Sequence, residues 1–186
     1  MNANALEQEP KFTIETPKEG DETEIGKMHL QSWHESYTDP KRGVTKEVID
    51  EFRSDTTTEN GDERRRGFFR EAAEHPDKIL YKIVRNSKGE IVGFLHCTKG
   101  EEFNDLDAIY LLNEAKGEGV GGKLMEEFLA WSDKKKPSHL EVFSANETAL
   151  GFYERYGFAK TDKAPKLYKD RLEYIEMMRP AEEQQD

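Results

Sequence analysis

The chain has 186 residues, 34% of them hydrophobic and 36% charged, with a mean hydropathy of −0.94 and a formal net charge of −11. That length suits one domain with a sizeable core, and the polar excess belongs on wet helix faces and solvated ends. The acidic balance argues against a nucleic-acid binder, no apolar run reaches the ~18 residues of a membrane span, and the N-terminal stretch lacks a signal-peptide core. The single cysteine, Cys97, cannot form an internal disulfide, so a cytoplasmic protein is expected.

Residues 1–10 are polar and aperiodic and read as a disordered leader. Lys11–Thr16 alternates Phe12 and Ile14 with polar residues, as a short strand does. Glu22–Tyr37 spaces Ile25, Met28, Leu30, Trp33 and Tyr37 helically and stops before Asp39-Pro40. A second helix is expected from Thr45, then a polar loop over Ser54–Asp62 and a third helix over Glu63–Glu74. Its arginines Arg64, Arg65 and Arg66 read as a solvated face or as partners of nearby acids. Ile79–Arg85 and Glu90–Thr98 form a hairpin about Asn86–Gly89. Phe103–Leu112 is the next strand, followed by glycines and a helix over Gly119–Lys136 that Pro137 ends. His139–Phe143 is a buried strand, Asn146 opens a short helix capped by Gly157, and Phe158–Thr161 and Tyr168–Met178 are the last two strands. One α/β domain thus spans residues 11–179, with a disordered tail over 180–186.

The chemistry concentrates in Asp107–Met125, a strand, a turn, a glycine cluster and a helix start. Glycine lets another group approach the backbone, and a helix start offers unpaired N–H groups at the positive end of a dipole, so this stretch is built to bind phosphate. Three motifs compete for it. Gly117 to Gly122 fits G-x-G-x-x-G of dinucleotide-binding domains, with Glu141 at a suitable distance, but too little chain follows for the remaining βα units. Gly117 to Lys123 fits a nucleotide P-loop, but Leu124 stands where magnesium needs Ser or Thr.

The third motif is Lys116-Gly117-Glu118-Gly119-Val120-Gly121, which resembles the Gln/Arg-x-x-Gly-x-Gly signature of the GNAT superfamily of N-acetyltransferases. Lys116 departs from it, keeping the charge and losing a planar hydrogen-bonding group. Downstream, Asn146 to Phe158, with Ala149, Phe152, Tyr153, Glu154, Arg155 and Gly157, resembles the same family's Asn-x-x-Ala-x-x-Phe-Tyr-Glu-Lys-x-Gly-Phe pattern. Helical spacing puts Asn146, Ala149 and Tyr153 along one face. Asn146 is also a good N-cap, and Tyr153 also suits a core.

The resemblance implies a single GNAT-like domain with a mixed, mostly antiparallel central sheet flanked by helices, in which Phe103–Leu112 and His139–Phe143 run parallel and splay apart. It implies acetyl-CoA as the acetyl donor, with the pyrophosphate on the backbone of Lys116, Gly117, Glu118, Gly119, Val120, Gly121 and Gly122. The thioester oxygen would meet a backbone N–H near Ile109, Tyr110 and Leu111, and Asn146 would hold the pantetheine or pyrophosphate arm. Tyr153 takes the position of the donor to the leaving thiolate. A primary amine would attack directly in a ternary complex, and Trp33 and Tyr37 fall where the family builds its acceptor site. Asp107 is the choice of general base, ahead of Asp105, Glu101 and Glu102.

The acidic chain favours a small cationic acceptor, a polyamine or aminated metabolite, over a protein N-terminus or lysine. A non-catalytic CoA-binding regulator is the rival class. The five histidines show no metal-ligand spacing, so no metal is expected, and Cys97 in an apolar strand reads as inert. No nucleic-acid or membrane partner is expected, and a homodimer remains open.

Overall fold

The computed structural model describes residues 10–182. The expected leader and tail therefore lie outside the described residues, save for Pro10 and residues 180–182. In chain order the elements are β1 (Phe12–Glu15), α1 (Glu22–Tyr37), α2 (Lys46–Phe52), α3 (Glu59–Glu74), β2 (Ile79–Asn86), β3 (Ile91–Lys99), β4 (Asn104–Leu111), α4 (Val120–Trp131), β5 (Ser138–Phe143), α5 (Glu147–Arg155), β6 (Ala159–Lys160), β7 (Lys166–Tyr168) and β8 (Leu172–Arg179).

The strands form one sheet in the order β1-β2-β3-β4-β5-β8-β6, with β7 paired to β8 beside this path. Every pairing is antiparallel except β4 with β5. That single parallel pair is what a strand–helix–strand crossover through α4 produces. It is also brief. Only Asn104↔Ser138 and Asp105↔His139 are in register before the strands part, which is the expected splay.

Side chains alternate across the sheet and sort the helices to its two faces. His29 of α1 lies against Phe94 and Tyr110, and Phe68 and Phe69 of α3 lie against His96 and Tyr81, so α1 and α3 share a face. Leu95 and Cys97 point the other way, towards the face on which α4 packs with Leu124, Met125 and Phe128 fully buried. Each buried leucine or phenylalanine here contributes about 1.5–3 kcal/mol over its exposed state. A second apolar cluster joins Trp33, Tyr37, Val44, Ile49, Phe143 and Leu172, and ties α1 and α2 to β5 and β8.

Three elements differ from the sequence reading. Helix α3 begins at Glu59 rather than Glu63, because the Thr58 hydroxyl caps it by accepting the Gly61 N–H; Arg65 pairs with an acid as expected, Asp62, but is buried and also donates to the Glu22 and Thr56 carbonyls. Arg64 and Arg66 do pair with acids, Asp55 and Glu59. Helix α4 ends at Trp131, well before Pro137. The Ser132 backbone turns extended, and the Asn104 side chain takes the following turn by accepting from the Asp133 N–H and donating to the Asp133 and Lys136 carbonyls. The expected strand Tyr168–Met178 is a hairpin, β7 and β8, turned by Lys169 and Asp170 at φ 52° and 55°.

Candidate active site

The parting of β4 and β5 opens a cleft of about 790 Å³ through the sheet. Residues from Leu106 to Leu111 form one wall, Glu141 and Val142 the other, and the glycine loop and α5 close the ends. A bulge shapes the first wall. His96 pairs with Ala108 and Cys97 with Leu106, so Asp107 is the extra residue on β4. A bulge bends its strand and re-aims a side chain, and here it helps turn β4 away from β5.

At one end the chain enters α4 without a side-chain cap. Gly119 is the N-cap residue at φ 79°, and Gly117 sits at φ 80°. These two positions require glycine, because L side chains are strained there. A Cβ at either would meet nothing within 4 Å, so the backbone lies open to a ligand. The first intrahelical bond is Lys123 N–H to the Gly119 carbonyl, which leaves the N–H groups of Val120, Gly121 and Gly122 without helical partners. Together with the helix dipole they make an anion site of the kind that takes a phosphate group. Val120 turns its side chain into the core, and the Glu118 carboxylate turns away to Lys11 Nζ at 2.6 Å, so both present backbone only. Lys116 lines the cleft, but its ammonium donates to Asn113 Oδ1 at 2.9 Å and Ser36 Oγ at 3.3 Å, and burial lowers its pKa.

At the other end α5 brings Asn146, Ala149, Phe152 and Tyr153 to the cleft. Asn146 Oδ1 caps the helix by accepting the Ala149 N–H at 3.1 Å, which leaves its amide nitrogen and a second lone pair of the oxygen for a ligand. Tyr153 is 8% exposed, and burial pushes its hydroxyl pKa well up, which keeps it a proton donor at neutral pH.

Asp107 faces the cleft with its side chain 36% exposed. Burial pushes its pKa up to about 6, with the Asp105 charge acting in the same sense and a hydrogen bond from Thr98 opposing it. His96 stands 3.8 Å away, beyond hydrogen-bond reach, and burial lowers its pKa to about 4, so the imidazole is neutral beside the acid. Asp105 is occupied elsewhere, by His139 Nδ1 at 2.7 Å.

Of the two expected acceptor aromatics, Tyr37 lines the cleft together with Tyr110 and Tyr174. Trp33 does not. It is 4% exposed, stacks edge-on against Tyr37, donates from Nε1 to His29 Nε2 at 3.1 Å and lies under the Arg53 guanidinium at 4.6 Å. Glu35 and Ser36, within the segment Trp33–Tyr37 expected to build the acceptor site, line the cleft as well, while sequence reasoning missed Glu141 as an acid of the cleft wall and Tyr174. Glu35 accepts the Asn113 N–H at 2.7 Å and so ties α1 to the turn before the glycine loop. No local pattern marks such residues, since the topology brings them together from distant segments.

Residues 62–179 match a family profile described as the acetyltransferase (GNAT) domain. The chain is 36% identical over 78 residues to the 5-NmdU N-acetyltransferase of Pseudomonas phage PaMx11, a match covering 40% of this chain and 54% of that relative. The fold resembles the PaiA N-acetyltransferase of Thermoplasma acidophilum, solved in complex with coenzyme A, with a TM-score of 0.69 at 18% identity over 89% of this chain and 97% of that one. It equally resembles a GNAT-family acetyltransferase of Streptococcus pneumoniae, with a TM-score of 0.69 at 16% identity over 92% and 99% of the two chains. With its profile match running from α3 to the end of β8, the chain belongs to the GNAT acetyltransferase family.

Proposed function

We propose that the protein transfers the acetyl group of acetyl-CoA to a primary amine of a small molecule, by direct attack within a ternary complex. The observation that carries this reading is the cleft itself, in which an uncapped helix start, a buried tyrosine hydroxyl and a raised carboxyl face one space. When bound, acetyl-CoA supplies an activated thioester carbonyl and a thiolate leaving group. The N–H groups of Val120, Gly121 and Gly122 hold the pyrophosphate. A backbone N–H of β4 near Ile109, Tyr110 and Leu111 donates to the thioester oxygen. Asp107 takes a proton from the incoming ammonium, a role its raised pKa suits near neutrality. The C–S bond breaks as the amide forms, Tyr153 passes its hydroxyl proton to the departing sulfur, and the second proton lost by the attacking nitrogen restores that hydroxyl, so coenzyme A leaves as the thiol. Holding amine and thioester together supplies much of the acceleration.

The test is free-thiol release with an amine panel: polyamines, amino acids, aminated sugars, peptides with free N-termini or lysines, and 5-NmdU, for which the phage relative is named. Turnover of small amines is expected. Turnover of peptides alone would make the protein a peptide acetyltransferase. Stabilisation by acetyl-CoA in thermal melts without any turnover would favour a CoA-binding regulator, and stabilisation by NAD(P) alone would overturn the reading.

A further inference from the structure

On the face of the sheet that carries α1 and α3, four carboxylates gather where β4, β5 and β8 meet, and three of them already have work. Asp105 is held by His139 Nδ1 at 2.7 Å. Glu176, 8% exposed, is held by Lys163 Nζ at 2.7 Å and His139 Nε2 at 3.3 Å. Asp107 stands as the proposed base. Glu141 is the fourth. It lines the cleft, its side chain is 39% exposed, and its one ion-pair partner among the described residues is Lys166 Nζ.

That partner is weakly anchored. Lys166 is 69% exposed and opens β7, a three-residue strand that touches the sheet only through β8. An exposed lysine–carboxylate pair contributes little to stability and is readily exchanged for another cation. Asp107 and Glu141 each lie two residues beyond the last parallel pair, Asp105↔His139, and so stand on the two opposed walls where the cleft opens. The same cleft is lined by the buried ring of Tyr37, at the end of α1, and by those of Tyr110 and Tyr174, an aromatic lining that tolerates an alkyl chain and attracts cations.

We propose that Glu141 selects the acceptor, and that Lys166 occupies in the free protein the place taken by a second ammonium group of the substrate. The acceptor class is then a diamine or longer oligoamine: one amine is delivered to Asp107 for acetylation, and a further ammonium displaces Lys166 from Glu141. A monoamine leaves the Lys166–Glu141 pair in place and forgoes that contact. This rests on the acetyl-transfer reading above.

The experiment measures kcat/KM for a series of α,ω-diaminoalkanes and for the matching 1-aminoalkanes, with saturating acetyl-CoA, in the wild type, Glu141→Gln and Lys166→Gln. The wild type should prefer diamines. Glu141→Gln should shrink the ratio of diamine to monoamine kcat/KM by about tenfold, mostly through KM. Lys166→Gln removes the competitor and should raise the ratio, with a lower KM for diamines. The two opposite shifts cannot both come from general damage, and Lys166→Gln changes an exposed side chain, so it reports even where Glu141→Gln folds poorly. Equal loss of both substrate types in Glu141→Gln, or an unchanged ratio in both variants, would overturn the role given to Glu141 while leaving acetyl transfer standing. A wild type that turns over no amine would remove acetyl transfer and this proposal with it.

Discussion

In the proposed reaction Tyr153 and Asp107 divide the proton work of the cleft, and each role has a separable signature. Tyr153→Phe keeps the buried ring and removes the donor, so kcat should fall on the order of 10² while acetyl-CoA binding changes little. Calorimetric titration beside steady-state kinetics reads both quantities; a variant with wild-type turnover would reduce Tyr153 to a wall of the site. Asp107 is tested through pH. With its pKa pushed up to about 6, kcat/KM should rise on the acid side with a midpoint near that value. Asp107→Asn should lose both that limb and on the order of 10²–10⁴ in rate. An acid limb that survives the substitution would assign it to another group. Both residues stand in the sequence beside recognisable patterns. What the sequence does not carry is the raised pKa, which comes from burial in a cleft that only the fold assembles.

Among the elements, the start of α4 shows most directly how a few glycines set function. Gly119→Val places a β-branched side chain at φ 79°, which costs about 1–2 kcal/mol in backbone strain and deforms the anion-binding turn. Acetyl-CoA affinity should fall at least about tenfold, by titration on folded protein, before kcat at saturation is affected; unchanged affinity would put the pyrophosphate elsewhere. Strands and helices with strong periodicity were legible: α1 lies where the spacing of Ile25, Met28 and Tyr37 predicts it, and the parallel pair follows from strand, glycine, helix and strand in sequence. The misjudged boundaries have a common cause. Thr58 caps a helix whose first turn, Glu59-Asn60-Gly61, reads as loop, and Lys169-Asp170 turns a hairpin without glycine or asparagine to mark it. In each, the deciding feature is a local cap or turn that hydrophobic periodicity does not mark. Trp33, packed against His29 and Tyr37, shows a different limit: spacing puts it on the buried side of α1 but cannot tell core from cleft lining.

For the molecule as a whole, a loss of stability in acid follows from buried neutral histidines. His96 has its pKa lowered from 6.5 to about 4 by burial, and His29 is lowered in the same way by burial and by Arg53. The unfolded chain therefore binds protons that the folded chain refuses. Stability from His96 is complete above about pH 6.5 and is lost as pH falls towards about 4, by roughly 3 kcal/mol at most. Asp107 acts with the opposite sign, since its raised pKa favours the folded state at lower pH, but its exposure reduces that effect. Urea titrations across this range should show a net decline towards acid, and His96→Gln should flatten it; a slope unaltered by the substitution would assign the decline elsewhere. The two-pair contact between β4 and β5 has a further consequence, for how the protein keeps in solution. Past Asp105 and His139 each strand shows its partner a backbone edge, so the centre of the sheet holds a seam of the kind that other molecules confine to the rim. Such an edge offers partners to an extended segment with spare amide groups, as an exposed rim strand does. An occupant of the cleft closes that seam, so storage with acetyl-CoA should slow the growth of light scattering in concentrated samples, and the ligand would then act as the missing strand of its own enzyme.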